Sequence, residues 1–236
     1  MCASLNLLSS GLSANFELSS QNIVFLFDIG GVVIRWKSND PIFRHISKKY
    51  GVPFEQMRAA LLDNFLELEA GKISADKWIS LALSKFGKEV SPTDDGNRLL
   101  LDPFVSRAKL RKGTIKIIDN LRRNSFRVFA LTNTSQVHLV YMKGAGWLDY
   151  FDGFYASCQL HCNKPDLEVY RKVIKSMRTR ADLVVFIDDK EENVIGARKA
   201  GIRHAIRFKT LEQLDNEIKS IIQRHEVAMS EPSFHK

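Results

Sequence analysis

Four short stretches of the 236-residue chain carry residue types that can do chemistry together: Asp28 in FLFDIGGVVI, Thr132 in FALTNTS, Lys164 in CNKPDLEVY, and Asp188-Asp189 in VVFIDDKEENVIGARKAGI. Carboxylates grouped in this way suit a hard divalent cation, which takes oxygen ligands. Lys164 adds a compact positive charge and Thr132 a hydroxyl, while Gly30 and Gly31 leave the backbone bare enough for a ligand to reach its N–H groups. The chemistry that fits such a set is phosphoryl transfer. The nonbridging oxygens of a phosphoryl group are negative, so an anionic nucleophile reaches phosphorus only where cations and hydrogen-bond donors neutralise them.

The elements that would position these residues are legible as patterns. FLFDIGGVVI, FRVFALTN ending near Asn133, FDGFYASC ending near Cys158, and LVVFIDD ending at Asp189 read as buried strands. Ile115, Ile117, Ile118 and Leu121 fall at near-helical spacing, as do Val169, Val173, Ile174 and Met177. Continuous apolar strands alternating with amphipathic helices predict an α/β protein with a doubly wound parallel sheet, covered on both faces. Ligands bind beyond the carboxyl ends of such strands, where Asp28, Thr132 and Asp188-Asp189 all fall. One strand-end polar residue reads equally well as a helix cap or loop acid, but three strand ends together read as a site.

About a hundred residues separate Asp28 from Thr132, far more than a crossover uses. Helical text fills the gap. Asp40-Pro41 opens one helix with a cap residue and a proline at its first helical position, PFEQMRAALLDNFLELEAG makes a second, SADKWISLALSKFGKE a third capped by Ser74, and LDPFVSRAKL contributes a fourth. A small inserted bundle beside the site would exclude water and select substrates. The expected division is a flexible lead-in at 1–20, a core at 21–37 and 112–225, a helical cap at 38–111 and a tail at 226–236.

Composition bounds the partners. Hydrophobic residues at 44% and charged residues at 26% are soluble globular values, and no apolar run is long enough to cross a bilayer. The net charge of +8 raises nucleic acid as a partner, yet the basic residues are scattered without a recognition signature, so no specific nucleic acid is expected. Cys2, Cys158 and Cys162 cannot close a disulfide framework, which fits a reducing compartment and a cytoplasmic protein, monomeric or homodimeric. The first twenty residues lack a basic start and an apolar core, against a secretory signal, although their serine-rich, acid-poor text leaves a transit segment open.

In order, spacing and strand-end placement, these motifs resemble the four motifs of the haloacid dehalogenase-like hydrolase superfamily, from about residue 23 to about residue 220. The inserted helices resemble its small helical caps. LEAGKIS, from Leu68 through Glu69 and Gly71 to Ser74, and the Asp-x-Gly opening resemble its glucose-1-phosphatase-like branch. The resemblance implies a Rossmann-like core and a Mg²⁺-dependent phosphatase of a small phosphorylated metabolite, a sugar phosphate with an anomeric phosphate first among them. It implies catalytic roles for Asp28, Thr132 and Lys164, and phosphate binding by Gly30, Gly31, Thr132, Asn133 and Lys164. Metal would be held by Asp28, the Gly30 carbonyl, Asp188 and Asp189, and Asp28 would attack phosphorus to form an aspartyl-phosphate.

One departure matters. Phosphatases of the superfamily carry a second aspartate two residues after the nucleophile, as general acid and base, and this chain has Gly30 there. Losing that help costs about a hundredfold or more in rate. A good leaving group, a proton donor from the cap, or a non-catalytic binding role would each account for it. A dehalogenase using Asp28 on carbon is a weaker alternative, because such relatives need no metal and the paired acids Asp188-Asp189 imply one. His161, three residues before Lys164, is either a substitute proton carrier or a loop histidine, and with Cys158 and Cys162 it lacks the fourth ligand of a zinc site. Glu69, Trp36 and Asn193 each read either as site residues or as packing and helix surface.

Overall fold

The structure is a computed structural model and describes residues 23–36 and 38–230. The expected lead-in at 1–20, Cys2 and the last residues of the expected tail, 231–236, lie outside the described residues. Five strands, β1 (Val24–Phe27), β2 (Arg127–Thr132), β3 (Gly153–Ala156), β4 (Val184–Asp188) and β5 (His204–Arg207), form one sheet in the order β3-β2-β1-β4-β5, every neighbouring pair parallel. Between β1 and β2 lie α1 (Asp40–Tyr50), α2 (Phe54–Leu62), α3 (Phe65–Glu69), α4 (Ala75–Ser84) and α5 (Gly96–Arg107). The remaining helices are α6 (Lys112–Arg123), α7 (Gln136–Gly144), α8 (Ser157–Leu160), α9 (Leu167–Ser176), α10 (Glu191–Lys199) and α11 (Leu211–Ser230).

Strand alternation explains why the central strands are apolar throughout. Phe25 and Phe27 of β1 with Val185 and Ile187 of β4 point into a layer that also holds Ile118 of α6 and Leu214 of α11. Val24, Leu26, Val184 and Phe186 point the other way, onto Val169 of α9 and Val194 of α10. A sheet buried on both faces has no solvent side on which to place polar residues. Register then sets the site. Phe27 lies level with Ala130 and Ile187, so Asp28, Thr132 and Asp188 emerge at one edge of the sheet.

The inserted helices bury a core of their own, built around Ile42, Ile46, Met57, Leu61, Trp78 and Leu83. The stretch PFEQMRAALLDNFLELEAG, expected as one helix, is two. The Leu61 carbonyl, which a continuous helix would offer to the N–H of Phe65, instead accepts from the Trp78 indole at 2.8 Å. The first inserted helix starts one residue earlier than expected: Asp40 is its first residue instead of its cap, Pro41 is its second, and Asn39 at the cap makes no side-chain capping bond. Ser74 caps α4 as expected, its hydroxyl accepting from the Lys77 N–H at 3.2 Å. The third strand stops at Ala156, short of Cys158, because Ser157 already begins α8. Residues 226–230, expected in the tail, are the last turn of α11.

Side chains after β3 fasten the bundle to the sheet domain. Ser157 donates to the Glu69 carbonyl at 2.6 Å, Asn163 to the Leu66 carbonyl at 2.8 Å, and His161 to the Ala70 carbonyl at 3.2 Å. Gly71 has φ +65°, and a Cβ there would lie 2.4 Å from the Cys158 carbonyl oxygen, so only glycine permits this approach.

Candidate active site

Asp28 leaves β1 with its N–H bonded to the Ile187 carbonyl at 2.7 Å, which sets its carboxylate at the sheet edge, 6% exposed. Lys164 reaches it from the loop before α9, and its ammonium donates to Asp28 Oδ1 at 2.7 Å, Asp188 Oδ2 at 2.7 Å and the Leu131 carbonyl at 2.9 Å. All three of its protons are used. Asn133 holds the backbone of Lys164 from both sides, donating to its carbonyl and accepting from its N–H, each at 2.9 Å.

The paired acids, adjacent in sequence, have different surroundings. Asp188 is fully buried and saturated: besides Lys164 it accepts from Asn193 Nδ2 at 3.0 and 2.9 Å and from the Lys190 N–H at 2.9 Å. Asp189 keeps a buried Oδ1 without a hydrogen-bond partner. Its carboxylate packs over Gly31, whose φ is +79° and where a Cβ would lie 2.0 Å from Asp189 Oδ2. Among the described residues, Asp28, Asp188 and Asp189 offer ligand atoms within 4.8 Å of one another. An orphaned buried carboxylate oxygen beside two more carboxylates fits a hard divalent cation such as Mg²⁺.

The electrostatics agree. Burial pushes the Asp28 carboxyl up to about 7 against the pull of Lys164, with Asp188 adding to the rise. Burial raises Asp189 as well, reinforced by Asp188. Burial alone would lower Lys164, but Asp188 and Asp28 outweigh it and raise it. The pocket holds more carboxylate than one lysine neutralises, which a bound cation would correct.

A chamber of about 100 Å³ lies between these strand ends and the inserted helices. Asp28, Gly30, Thr132, Asn133, Lys164 and Asp189 line its floor, and Trp36, Ile42, Phe65, Leu68, Trp78 and Phe104 line its roof. Glu69 faces it from the end of α3. Burial pushes its carboxyl up to about 7, offset in part by Lys190 and Lys164. The structure thus brings the expected site residues together, with Gly31 and Asp188 just behind the chamber wall, and Asn193 bracing Asp188. His161 is not part of the lining and makes its bond at the seam with the bundle; Cys158 and Cys162 are free and buried. Sequence reasoning did not find His138, a lining residue of α7 stacked on Phe104 with ring centroids 4.4 Å apart. A lone histidine in an unremarked helix carried no signal.

The family model of haloacid dehalogenase-like hydrolases matches residues 24–201. A sesquiterpene phosphatase of Aspergillus oryzae is similar at 30% identity over 75% of this chain and 85% of its own. A D-ribitol-5-phosphate phosphatase of Bacteroides thetaiotaomicron is similar at 28% identity over 77% of this chain and 88% of its own. In fold, the chain is similar to a family enzyme of Bacteroides thetaiotaomicron crystallised with magnesium and inorganic phosphate. The TM-score is 0.65 at 23% identity, covering 82% of this chain and 98% of that one. With the motifs assembled on a doubly wound sheet under a helical cap, the chain belongs to the haloacid dehalogenase-like hydrolases.

Proposed function

We propose that the protein is a Mg²⁺-dependent phosphatase acting on a small phosphorylated metabolite. The observation that carries this reading is the buried Asp28 carboxylate, braced by Lys164 at 2.7 Å, next to the partnerless oxygen of Asp189. Asp28 is the nucleophile, with Thr132 and Lys164 completing the catalytic set. Gly30, Gly31, Thr132, Asn133 and Lys164 form the phosphate cradle. Asp28, the Gly30 carbonyl, Asp188 and Asp189 make up the metal site; the saturation of Asp188 favours Asp189 as the direct ligand and Asp188 as its support. When bound, Mg²⁺ supplies positive charge that neutralises the phosphoryl oxygens.

One Asp28 oxygen attacks phosphorus, the bond from phosphorus to the leaving oxygen breaks, and an aspartyl-phosphate forms; water then releases phosphate and restores the carboxylate. Glu69 takes the place of the acid missing at Gly30, giving a proton to the leaving oxygen and accepting one from the attacking water. The sequence favours a sugar phosphate, anomeric above all, and the Bacteroides relative is by its name a phosphatase of a sugar-alcohol phosphate. The division into a core at 21–37 and 112–225 and a cap at 38–111 is part of this reading, as are a cytoplasmic location, a monomeric or homodimeric state, and no specific nucleic-acid or membrane partner. Among the described residues no helix is long and apolar enough to cross a membrane.

The test is phosphate release from a panel of phosphomonoesters, with Mg²⁺ and with chelator, using Asp28→Asn as the blank. Turnover that needs metal and vanishes in the blank is expected. A folded protein that binds Mg²⁺ and turns over nothing would instead be a phosphate-binding protein, and halide release without metal would mark a dehalogenase.

A further inference from the structure

The chamber has a polar end and an apolar end, and the second constrains the alcohol half of the substrate. Beyond the phosphate cradle the walls are Trp36, Ile42, Phe65, Leu68, Trp78 and Phe104. Trp36 and Phe65 are half-buried, leaving aromatic surface for a ligand to cover. Several polar atoms at this end are already engaged. Trp36 Nε1 donates to Asn39 Oδ1 at 3.0 Å, Trp78 Nε1 to the Leu61 carbonyl at 2.8 Å, and the Ser38 hydroxyl accepts from the Asp40 N–H at 3.0 Å. His138 uses both ring nitrogens, donating from Nε2 to the Leu100 carbonyl at 3.3 Å and accepting at Nδ1 from the Ser135 hydroxyl at 3.4 Å. Among the described lining residues outside the phosphate cradle, the Glu69 carboxyl, the Asn39 amide N–H groups, the Ser38 O–H and the Lys190 ammonium make no hydrogen bond, and of these Ser38 and Lys190 are exposed residues.

A polyol brought here would bury several hydroxyls against hydrocarbon with few partners, which is costly, whereas a hydrocarbon body gains by covering the same aromatic faces. A chamber of about 100 Å³ is small beside the roughly 300–1,000 Å³ of pockets for drug-sized ligands. We propose that the substrate is the monophosphate of a compact, apolar alcohol, with the phosphate on the Lys164 floor and the hydrocarbon under the bundle. This rests on the phosphatase reading and narrows its substrate, away from the sugar phosphates that the Asp-x-Gly opening suggested.

The experiment compares kcat/KM of the wild-type protein with Mg²⁺ on isopentyl phosphate, on hydroxybutyl phosphate, which has a body of similar size ending in a hydroxyl, and on ribose and glucose phosphates. Acetyl phosphate, with almost no body, serves as the control. Isopentyl phosphate is expected to exceed the hydroxybutyl ester and the sugar phosphates by about tenfold to a hundredfold, the scale of discrimination when polar groups lose their partners or apolar ones gain a pocket. Turnover of acetyl phosphate with sugar phosphates or hydroxybutyl phosphate matching isopentyl phosphate would overturn the apolar assignment and leave the phosphatase standing. If acetyl phosphate and every ester are inert, the phosphatase reading fails and this inference falls with it.

Discussion

On the floor of the chamber one ammonium group serves three oxygens within 2.9 Å and every neighbouring carboxylate is placed by a strand end, whereas the roof is a set of aromatic and aliphatic side chains packed together, with Phe104 joined to the rest through Trp36. The difference lies in how each end tolerates error. Buried charges are stable only when paired in one geometry, so the floor depends on the rigid register of β1, β2 and β4. Apolar packing is non-directional, so a roof of similar volume can be built from many side-chain combinations. On the proposed reading, chemistry is held within one chamber by the part that cannot vary and substrate choice by the part that can.

The largest expected effect follows from unpairing the floor. Lys164→Met leaves the buried carboxylates of Asp28 and Asp188 without their cation. It should cost about 3–5 kcal/mol of stability near neutral pH in denaturant unfolding and about a thousandfold in kcat. A variant as stable as the wild type would mean that the floor tolerates change as readily as the roof.

Next comes Glu69, among the described residues the one acid that reaches the chamber from the bundle side. Glu69→Gln preserves shape and removes the proton, so hydrolysis of alkyl phosphates should slow by about a hundredfold. The attack step on acetyl phosphate, whose leaving group needs no proton, should hardly change in a single-turnover measurement. Equal slowing of that step would make Glu69 a structural group and return the proton to bulk water.

The smallest effect is on stability and belongs to His138, which α7 stacks against the roof residue Phe104. Burial lowers the His138 imidazole to about 4, with the Leu100 carbonyl partly opposing, so it stays neutral in the folded protein at pH values where the unfolded chain takes up a proton. Stability is therefore full above the unfolded value near 6.5 and is lost as pH falls from there toward about 4. Between about pH 7.5 and 5 the loss due to this group should be about 2 kcal/mol. Unfolding curves of the wild type and His138→Asn at both pH values isolate it as the difference in slope, and parallel slopes would mean that the histidine is hydrated.

Legibility followed the same division. The floor was readable because a strand buried on both faces is apolar throughout, and a carboxylate ending such a run, as Asp28 ends Val24–Phe27, is conspicuous. β5 escaped because its four residues begin and end with His204 and Arg207, the latter exposed at the sheet edge, and leave only two apolar positions to show a pattern. α7 escaped too, and with it His138, whose character depends on Phe104 and Leu100 of the inserted helix α5 closing over it. The split of the second inserted helix escaped because a tryptophan seventeen residues away takes the carbonyl involved.

By itself, then, the sequence determined the parallel sheet, the inserted bundle and the gathering of Asp28, Thr132, Lys164, Asp188 and Asp189, because strand periodicity and motif order are local properties of the text. Tertiary structure alone decided that Asp188 is saturated while Asp189 keeps an open oxygen, that Glu69 faces the chamber while His161 does not, and that the chamber's far wall is apolar. Those outcomes depend on which distant groups arrive beside each side chain, and hydrogen bonding, burial and charge are set by neighbours in space.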